Sequence, residues 1–221
     1  MQPQRRFISI EGNIGSGKST LLAQLRLNLK DDSRVVFLKE PVEEWETITD
    51  SNGTTMLQKF YEDQTKYSFP FQMMAYISRL ATFKNAVNEN PQATVFITER
   101  CLDTDKYVFA QMLYDDKKIE DVNFKIYRKW FDTFALDFPI AGIIYVKTRP
   151  EICHQRIIKR SRTGEDGIPL EYLQNCNNYH EHMMSLMTSA PCLELNGDID
   201  IYDNKEILDE WIQLIKNFIG N

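Results

Sequence analysis

The chain has little of what marks a metal-binding or membrane protein. It contains three histidines and four cysteines in 221 residues, and no two cysteines form a CxxC pair. The closest grouping, Cys176 with His180 and His182, lacks the spacing of a tetrahedral metal site, so we expect reduced thiols. No apolar run approaches the ~20 residues of a membrane span, and no signal-peptide core follows the first arginines. We therefore expect a cytoplasmic protein with no membrane partner.

A surplus of basic residues is also absent. The chain has 26 Lys and Arg against 32 Asp and Glu, a formal charge of −6 at pH 7. A protein whose main partner is a nucleic-acid polymer needs a basic face to neutralise phosphates, so we expect no such partner. A small phosphorylated ligand needs only a local site and remains compatible with this composition.

Short apolar runs rich in Ile, Val and Phe alternate with helical patterns along the chain. Such runs are typical of strands buried on both faces of a parallel sheet, and apolar residues at three- and four-residue spacing predict helices. Their alternation predicts an α/β fold, a doubly wound five-stranded parallel sheet with helices on both faces. No linker composition divides the chain, so we expect a single domain over residues 1–221. The predicted strands are Phe7–Ile10, Val35–Leu38, Thr94–Thr98, Gly142–Val146 and Cys192–Leu195, and the predicted helices are Ser19–Leu29, Phe71–Asn88, Phe124–Leu136 and Glu206–Ile219.

The segment after the first predicted strand matches the phosphate-loop pattern GxxxxGK[ST] in full and opens a predicted helix. Glycines let backbone N–H groups surround an anion, and the helix N-terminus adds a positive dipole. Lys18 can reach the β- and γ-phosphates, while the Ser19 hydroxyl can ligate Mg²⁺. The chain has no NKxD motif, which GTPases use to read guanine. We therefore predict that nucleotide phosphates and Mg²⁺ are bound by Gly12, Asn13, Ile14, Gly15, Ser16, Gly17, Lys18, Ser19 and Thr20.

Charged side chains follow the second and third predicted strands. Glu40 comes just after one of them, and Glu99 and Arg100 end the other. Because strand carboxyl ends converge on the ligand crevice of such sheets, we expect these residues beside the phosphate loop. One carboxylate can accept a hydroxyl proton, the other can help to hold Mg²⁺, and the arginine can bind developing charge. From spacing alone, a helix-capping glutamate and a surface ion pair remain equally good interpretations.

Motifs in a fixed order carry a family resemblance: GNIGSGKST, EPVEEW, FPFQ, ERCLDTDKYVF and RIIKRSRTGEDGIPLEYL. Together they resemble the deoxyribonucleoside kinases, above all the deoxycytidine and deoxyguanosine kinase branch, from Phe7 to about Tyr179. A departure is Cys101, where the family usually has serine. The resemblance implies ATP-dependent phosphorylation of a deoxyribonucleoside at its 5′-hydroxyl, as in nucleotide salvage.

The resemblance also implies roles for the matching residues. Glu40 corresponds to the general base for the 5′-hydroxyl, Arg100 to the arginine that positions the hydroxyl and the transferred phosphoryl group, and Glu99 to a residue near Mg²⁺. Without the resemblance, the aromatic residues below would be interpreted as core. The implied nucleoside contacts are Trp45, Phe71 and Phe109 as apolar walls, Tyr61 and Glu165 at the sugar 3′-hydroxyl, and Gln72, Arg79 and Asp105 near the base.

The base preference depends on Ala75, Arg79 and Asp105. An ionised Asp105 can accept a hydrogen bond from an exocyclic amine or hold Arg79 against the base, whereas thymine has no such amine and carries a methyl group. In the thymidine-using branch the counterparts of Arg79 and Asp105 are apolar. We therefore expect deoxycytidine, deoxyadenosine or deoxyguanosine rather than thymidine. The alternative is a salt bridge that never touches the base.

A basic run precedes a polar, glycine-containing segment, and we interpret residues 156–169 as a short lid. Closing arginines over the donor phosphates would stabilise charge and exclude water. The plain alternative is a solvated helix face. Within the run, Arg160 and Arg162 match the family's lid arginines, and Arg156 lies one turn before them.

Two other functions are possible for a chain with this phosphate loop, and the sequence favours neither. A thymidylate-kinase-like enzyme needs cations for an acceptor phosphate, yet the second strand is followed by Glu40, Glu43 and Glu44. A structural subunit of a larger complex need not keep Lys18 together with Glu40 and an arginine. The family is typically homodimeric through two helices, so we expect a homodimer through Phe71–Asn88 and Phe124–Leu136.

Overall fold

Five parallel strands form the centre of this computed structural model, which describes residues 5–161, 165 and 167–220. The predicted runs all become strands, with ends displaced by a few residues at most. The strands are β1 (Arg6–Glu11), β2 (Val35–Leu38), β3 (Val95–Glu99), β4 (Ile140–Lys147) and β5 (Cys192–Asn196). Across the sheet they run in the order β2-β3-β1-β4-β5, and each neighbouring pair is parallel. The sheet order therefore confirms the doubly wound prediction.

Helices connect the strands and cover the sheet. The described residues also include a π-helical segment, Asp105–Ala110, and a short 3₁₀ segment, Ala135–Asp137. No helix among the described residues is long and apolar enough to cross a membrane. The helices are α1 (Lys18–Asn28), α2 (Val42–Trp45), α3 (Met56–Glu62), α4 (Gln64–Glu89), α5 (Leu102–Thr104), α6 (Gln111–Asp115), α7 (Asp121–Phe134), α8 (Pro150–Arg160), α9 (Leu170–Leu186) and α10 (Lys205–Gly220).

Alternate residues of each strand enter separate cores on the two faces of the sheet. On one face Phe7 stacks on Phe96 and on Phe83 of α4, with ring centroids 5.0 and 5.3 Å apart. On the other face Ile8 packs in the core that includes buried side chains of α1 and α10, such as Leu21. Helices on both faces bury the apolar residues of β1 and β3 and most of those of β4, which explains why these central strands are apolar on both faces.

The long helix α4 begins earlier than predicted. The spacing of apolar residues predicts a start at Phe71, just after Pro70, which lacks an N–H group and crowds the preceding turn of a helix. In the structure the helix starts at Gln64, where the Asp63 side chain accepts a hydrogen bond from the Lys66 N–H at 3.1 Å, and it continues through Pro70. Packing of the buried face of α4 against the core therefore outweighs the local cost of the proline.

Candidate active site

The phosphate loop joins β1 to α1 at the centre of the sheet edge. Gly12 and Gly15 have φ angles of 143° and 79°, which side-chain-bearing residues rarely adopt. A Cβ atom at Gly12 would lie 2.5 Å from the carbonyl oxygen of Val146, and one at Gly15 would lie 2.6 Å from that of Cys153. Strands and helices on either side therefore enclose a loop that has no room for side chains at these two positions.

Lys18 is buried at the start of α1, and its Nζ donates to the carbonyl oxygen of Asn13 at 2.6 Å. Burial and the nearby positive charge of Arg100 lower the pKa of Lys18 to about 8. The Asn13 side chain donates to the carbonyl oxygen of Leu173 at 2.8 Å, which ties the loop to α9. A buried ammonium group held at the loop is placed to attract phosphate oxygens.

Glu40 lies just beyond the end of β2 and accepts hydrogen bonds from two arginines. Arg100 Nη1 lies 2.9 and 3.0 Å from its two oxygens, and Arg79 Nη2 lies 3.0 Å from Oε1. Burial alone would raise the pKa of Glu40, but the positive charges of Arg100 and Arg79 outweigh it and lower the pKa to about 2. The carboxylate is therefore ionised throughout the neutral pH range.

Arg79 connects Glu40 to the base-reading residue predicted from sequence. Its Nε donates to Asp105 Oδ2 at 2.9 Å, and its Nη1 donates to the carbonyl oxygen of Glu99 at 2.8 Å. Burial would lower the pKa of Arg79, but the charges of Asp105 and Glu40 outweigh it and raise that pKa. The salt bridge proposed as an alternative is thus present, and both partners also line the cavity described below.

Arg100 follows β3 in a left-handed conformation, with φ 63°. For a residue with a Cβ atom, that conformation is unfavourable by roughly 1–2 kcal/mol. Its guanidinium lies over the ring of Phe109, 5.2 Å from the centroid. Its Nε and Nη2 are buried and find no hydrogen-bond partner among the described residues. Two donor nitrogens are therefore available for an anionic ligand beside Glu40.

Ser19 and Glu99 form the candidate magnesium site. The Ser19 hydroxyl donates to Glu99 Oε1 at 2.6 Å, so two hard oxygen ligands meet at the phosphate loop. Among the described residues, no group of three or more His, Cys, Asp or Glu side chains could hold a metal ion. A site with few protein ligands fits Mg²⁺, which usually keeps several waters and binds substrate phosphates.

Aromatic side chains form the walls of the far end of the site. Trp45 meets Phe71 edge to face at 5.6 Å, and Phe71 stacks on Phe60 at 4.5 Å. The Trp45 Nε1 donates to the Ser78 hydroxyl at 2.8 Å, which fixes the indole. Gln72 is buried beside them, and its Oε1 has no hydrogen-bond partner among the described residues. An apolar slot with an unpaired amide oxygen is suited to a flat polar ring.

The sugar-binding pair predicted from sequence also comes together. Tyr61 packs against Phe60 and meets Tyr172 edge to face, with ring centroids 6.4 Å apart. Burial and the charge of Glu165 raise the pKa of Tyr61. Glu165 is itself hydrogen-bonded to Arg160 Nη2. The pair thus bridges the aromatic slot and the predicted lid.

A cavity of about 500 Å³ connects the phosphate loop, Glu40 and the aromatic slot. Gly12 and Asn13, at the start of the loop, do not line the cavity, and Arg162 falls outside the described residues. The predicted site residues that line the cavity are Ile14, Gly15, Ser16, Gly17, Lys18, Ser19, Thr20, Glu40, Trp45, Tyr61, Phe71, Gln72, Arg79, Glu99, Arg100, Asp105, Phe109, Arg156, Arg160 and Glu165.

Several cavity residues were missed by sequence analysis. Tyr172 lies in the quoted LEYL motif, and Phe60 lies in an amphipathic helix, where core packing was the simpler interpretation. The segment Ile199–Tyr202 follows β5 at the same sheet edge, so the rule that ligands gather at strand carboxyl ends could have found it. Arg156 ties this segment to the phosphate loop, since its Nη2 donates to the carbonyl oxygen of Ile199 at 3.3 Å and its Nη1 donates to that of Ser16 at 3.2 Å.

A parallel sheet with a phosphate loop after its central strand and an acceptor cavity beside it is the architecture of a P-loop kinase. The sequence model of a family described as deoxynucleoside kinase matches residues 8–220. The chain therefore belongs to the deoxynucleoside kinase family, and it is a transferase.

Individual relatives agree with this assignment. The fowlpox virus protein described as "Probable deoxycytidine kinase" is 36% identical over 220 residues, which cover 96% of this chain and 88% of the relative. Human deoxycytidine kinase is 33% identical, and the match covers 96% of this chain and 90% of the human protein. The mitochondrial deoxyguanosine kinase of Xenopus laevis is 29% identical, and the match covers 98% of this chain and 91% of that protein.

Proposed function

We propose that this kinase transfers the γ-phosphoryl group of ATP to the 5′-hydroxyl of a deoxyribonucleoside. The observation that carries the proposal is the single cavity that has the phosphate loop at one end and the aromatic slot at the other. Glu40 and Arg100 lie between the two ends, where donor and acceptor must meet. Phosphoryl transfer depends mainly on positioning and on stabilising charge, and both are available at that point.

Glu40 acts on the acceptor. An ionised carboxylate accepts a hydrogen bond from the 5′-hydroxyl and aims its oxygen at the γ-phosphorus. A group with a pKa of about 2 is a weak base, so the hydroxyl proton moves to Glu40 only after bonding to phosphorus has made that proton acidic. Arg100 keeps Glu40 in place with Nη1 and offers Nε and Nη2 to the phosphoryl oxygens.

The donor phosphates would lie on the loop, with Lys18 at the β- and γ-phosphates. Ser19 and Glu99 would hold Mg²⁺, which when bound neutralises charge on the phosphates. Arg156 and Arg160 face the same cavity and would add positive charge from the lid side. Their position also limits access of water to the transferred group.

The nucleoside would occupy the aromatic slot, with Tyr61 and Glu165 at the sugar. Arg79 and Asp105 place a buried charged pair at its wall, which suits a base that has an exocyclic amine and disfavours the methyl group of thymine. The names of the relatives, deoxycytidine and deoxyguanosine kinases, support the same choice. We therefore propose deoxycytidine, deoxyadenosine or deoxyguanosine as acceptor. A cytoplasmic location remains a prediction from sequence.

The experiment is a coupled assay of ATP turnover with each of the four deoxynucleosides, their 5′-monophosphates and the matching ribonucleosides. We expect turnover with at least one of deoxycytidine, deoxyadenosine and deoxyguanosine, and the appearance of its 5′-monophosphate. Turnover only with monophosphates would instead indicate a thymidylate-kinase-like acceptor. No turnover by the folded protein with any acceptor would favour a structural subunit.

A further inference from the structure

A buried carboxylate outside the proposed set of catalytic residues lies at the last position of β1. Glu11 is fully buried, and its Oε1 accepts hydrogen bonds from the Ser9 hydroxyl and, at 2.9 Å, from the backbone N–H of Cys101. Its Oε2 has no hydrogen-bond partner among the described residues. A carboxylate in such a place costs free energy that an apolar side chain would not, so its chemistry needs an explanation.

The contact with Cys101 places Glu11 at the turn that aims Arg100. The backbone of that turn is held on each side of the left-handed residue. The Arg100 N–H donates to the carbonyl oxygen of Ile10 at 3.0 Å, and the Thr98 hydroxyl donates to the carbonyl oxygen of Arg100 at 2.8 Å. The next backbone N–H in the chain, that of Cys101, donates to the Glu11 side chain instead of to a backbone oxygen of β1.

The left-handed conformation persists only where its surroundings impose it. Releasing the Cys101 N–H would let Arg100 return to a more common backbone conformation. The guanidinium would then leave the ring of Phe109 and the oxygens of Glu40, which it contacts at 2.9 and 3.0 Å. The carboxylate of Glu11 thus acts on the reacting groups through one backbone hydrogen bond.

We propose that Glu11 is a positioning residue for phosphoryl transfer, which fixes the turn at Arg100 and thereby the contact of Arg100 with Glu40. The inference rests on the proposed function in so far as Arg100 and Glu40 act in that reaction. It also links the strand that leads into the phosphate loop with the acceptor side of the site. Donor and acceptor groups are thereby held in register by one side chain.

The test compares Glu11→Met with Glu11→Gln, in the wild-type chain and in an Arg100→Ala background. Methionine matches the length of glutamate but cannot accept the two hydrogen bonds, whereas the glutamine Oε1 can. We expect Glu11→Met to lower kcat by about 10- to 100-fold with little change in the KM for ATP, since small misplacements of reacting groups have effects of that size. Glu11→Gln should restore kcat to within about threefold of wild type, because it keeps the hydrogen bond to Cys101.

The Arg100→Ala background separates positioning from general structural damage. If Glu11 acts through Arg100, Glu11→Met should lower the residual kcat of Arg100→Ala by less than about threefold, because the two changes remove one interaction. An equal loss in both backgrounds, or an unchanged kcat for Glu11→Met in the wild-type chain, would overturn the inference. Ser9→Ala is the matched control, since it removes the other hydrogen bond to Glu11 and leaves the turn attached.

Two further variants keep the test decisive. Where Glu11→Met does not fold, Glu11→Leu takes its place, because leucine also cannot accept the Cys101 N–H, and the same dependence on Arg100 is expected. Wild-type turnover by both Glu40→Gln and Arg100→Ala would contradict the proposed function itself. Loss in those two variants with normal turnover in Glu11→Met would contradict only the role of Glu11.

Discussion

Single side chains in this site owe their ionisation to their neighbours. Glu40 and Lys18 are both enclosed by protein, yet both carry charge at pH 7, because arginines surround the first and carboxylates lie near the second. Enclosure lowers the effective dielectric constant, so each charge depends strongly on its partner. Substitutions at this scale should therefore change catalysis more than their size suggests.

The first prediction concerns Glu40→Gln. The variant keeps the shape of the side chain but loses the negative charge that accepts the proton and binds two arginines. We expect kcat to fall by roughly 10²–10⁴-fold, the usual contribution of general base catalysis. Steady-state kinetics measure it, with Glu43→Gln as control, since that neighbouring carboxylate is exposed and pairs with exposed Lys39 at 3.7 Å. A Glu40→Gln enzyme as fast as the control would rule out Glu40 as the base.

The second prediction is a pH dependence from Lys18. Below about pH 8 the Lys18 ammonium is protonated and attracts phosphate, and as the pH rises through 8 the free enzyme loses that proton. The kcat/KM for ATP should therefore decrease above pH 8, because that parameter reports the free enzyme. Arginine keeps its charge throughout this range, so the decrease should be absent from the remaining activity of Lys18→Arg. The same decrease in that variant would assign it to another group.

The third prediction concerns sugar recognition by Tyr61. Tyr61→Phe removes a hydroxyl and keeps the ring that packs against Phe60 and Tyr172. We expect a higher KM for the deoxynucleoside, equivalent to about 0.5–1.5 kcal/mol for one lost hydrogen bond, with kcat less affected. Tyr67→Phe, a change at a tyrosine outside the cavity, is the matched control. Equal efficiency of wild type with deoxycytidine and cytidine would contradict selection for deoxyribose.

At the scale of elements, two helical segments supply the residues predicted to read the base. Gln72, Ala75 and Arg79 lie at three- and four-residue spacing on the buried face of α4, so they share one side of the cavity. The π-helical segment Asp105–Ala110 faces it and supplies Asp105 and Phe109. Base choice is therefore a property of how these two elements pack.

The fourth prediction concerns the Arg79–Asp105 pair. The double change Arg79→Met with Asp105→Ala gives the slot an apolar wall, so the ratio of kcat/KM for thymidine to that for deoxycytidine should rise by about tenfold or more. Arg79 also binds Glu40 at 3.0 Å, so kcat should fall for every acceptor at the same time. Assays with both nucleosides measure the ratio, and the single variants are the controls. An unchanged ratio would mean that the pair never meets the base.

At the scale of the whole molecule, an apolar face remains on the outer sides of α4 and α7. Trp130 is 46% exposed and stacks on Phe134 with centroids 5.9 Å apart. Ile126 of α7 and Ile77 of α4 are exposed as well. Exposed apolar patches of this kind usually mark interaction surfaces. We propose that this face joins two copies in a homodimer.

The fifth prediction tests that dimer. Trp130→Glu places a charge in the middle of the proposed interface, and burying an unpaired charge is costly, so we expect a monomer by analytical ultracentrifugation. Leu27→Glu is the matched control, because Leu27 is a 64% exposed apolar residue on α1, away from this face. A wild-type chain that sediments as a monomer, or a Trp130→Glu dimer, would contradict the proposal.

The sequence by itself was enough to predict the parallel sheet and the phosphate loop. Strands buried on both faces must be apolar without alternation, and a loop that surrounds an anion needs glycines and a lysine at fixed spacing, so both features are local in the chain. The motif resemblance located most cavity residues, because these residues also lie in short continuous motifs of the sequence. It could not supply the start of α4, because proline is locally unfavourable in a helix and only core packing offsets that cost.

The tertiary structure decided how the charged residues meet. Arg79 reaches Glu40 across 39 positions of chain, and Glu11 reaches Cys101 across 90 positions, so no local pattern predicts either contact. The left-handed turn at Arg100 is unfavourable by itself and exists because β1 and β3 lie side by side. Which groups are ionised, and where they point, follows from these long-range contacts, since burial and partner charges act through space rather than along the sequence.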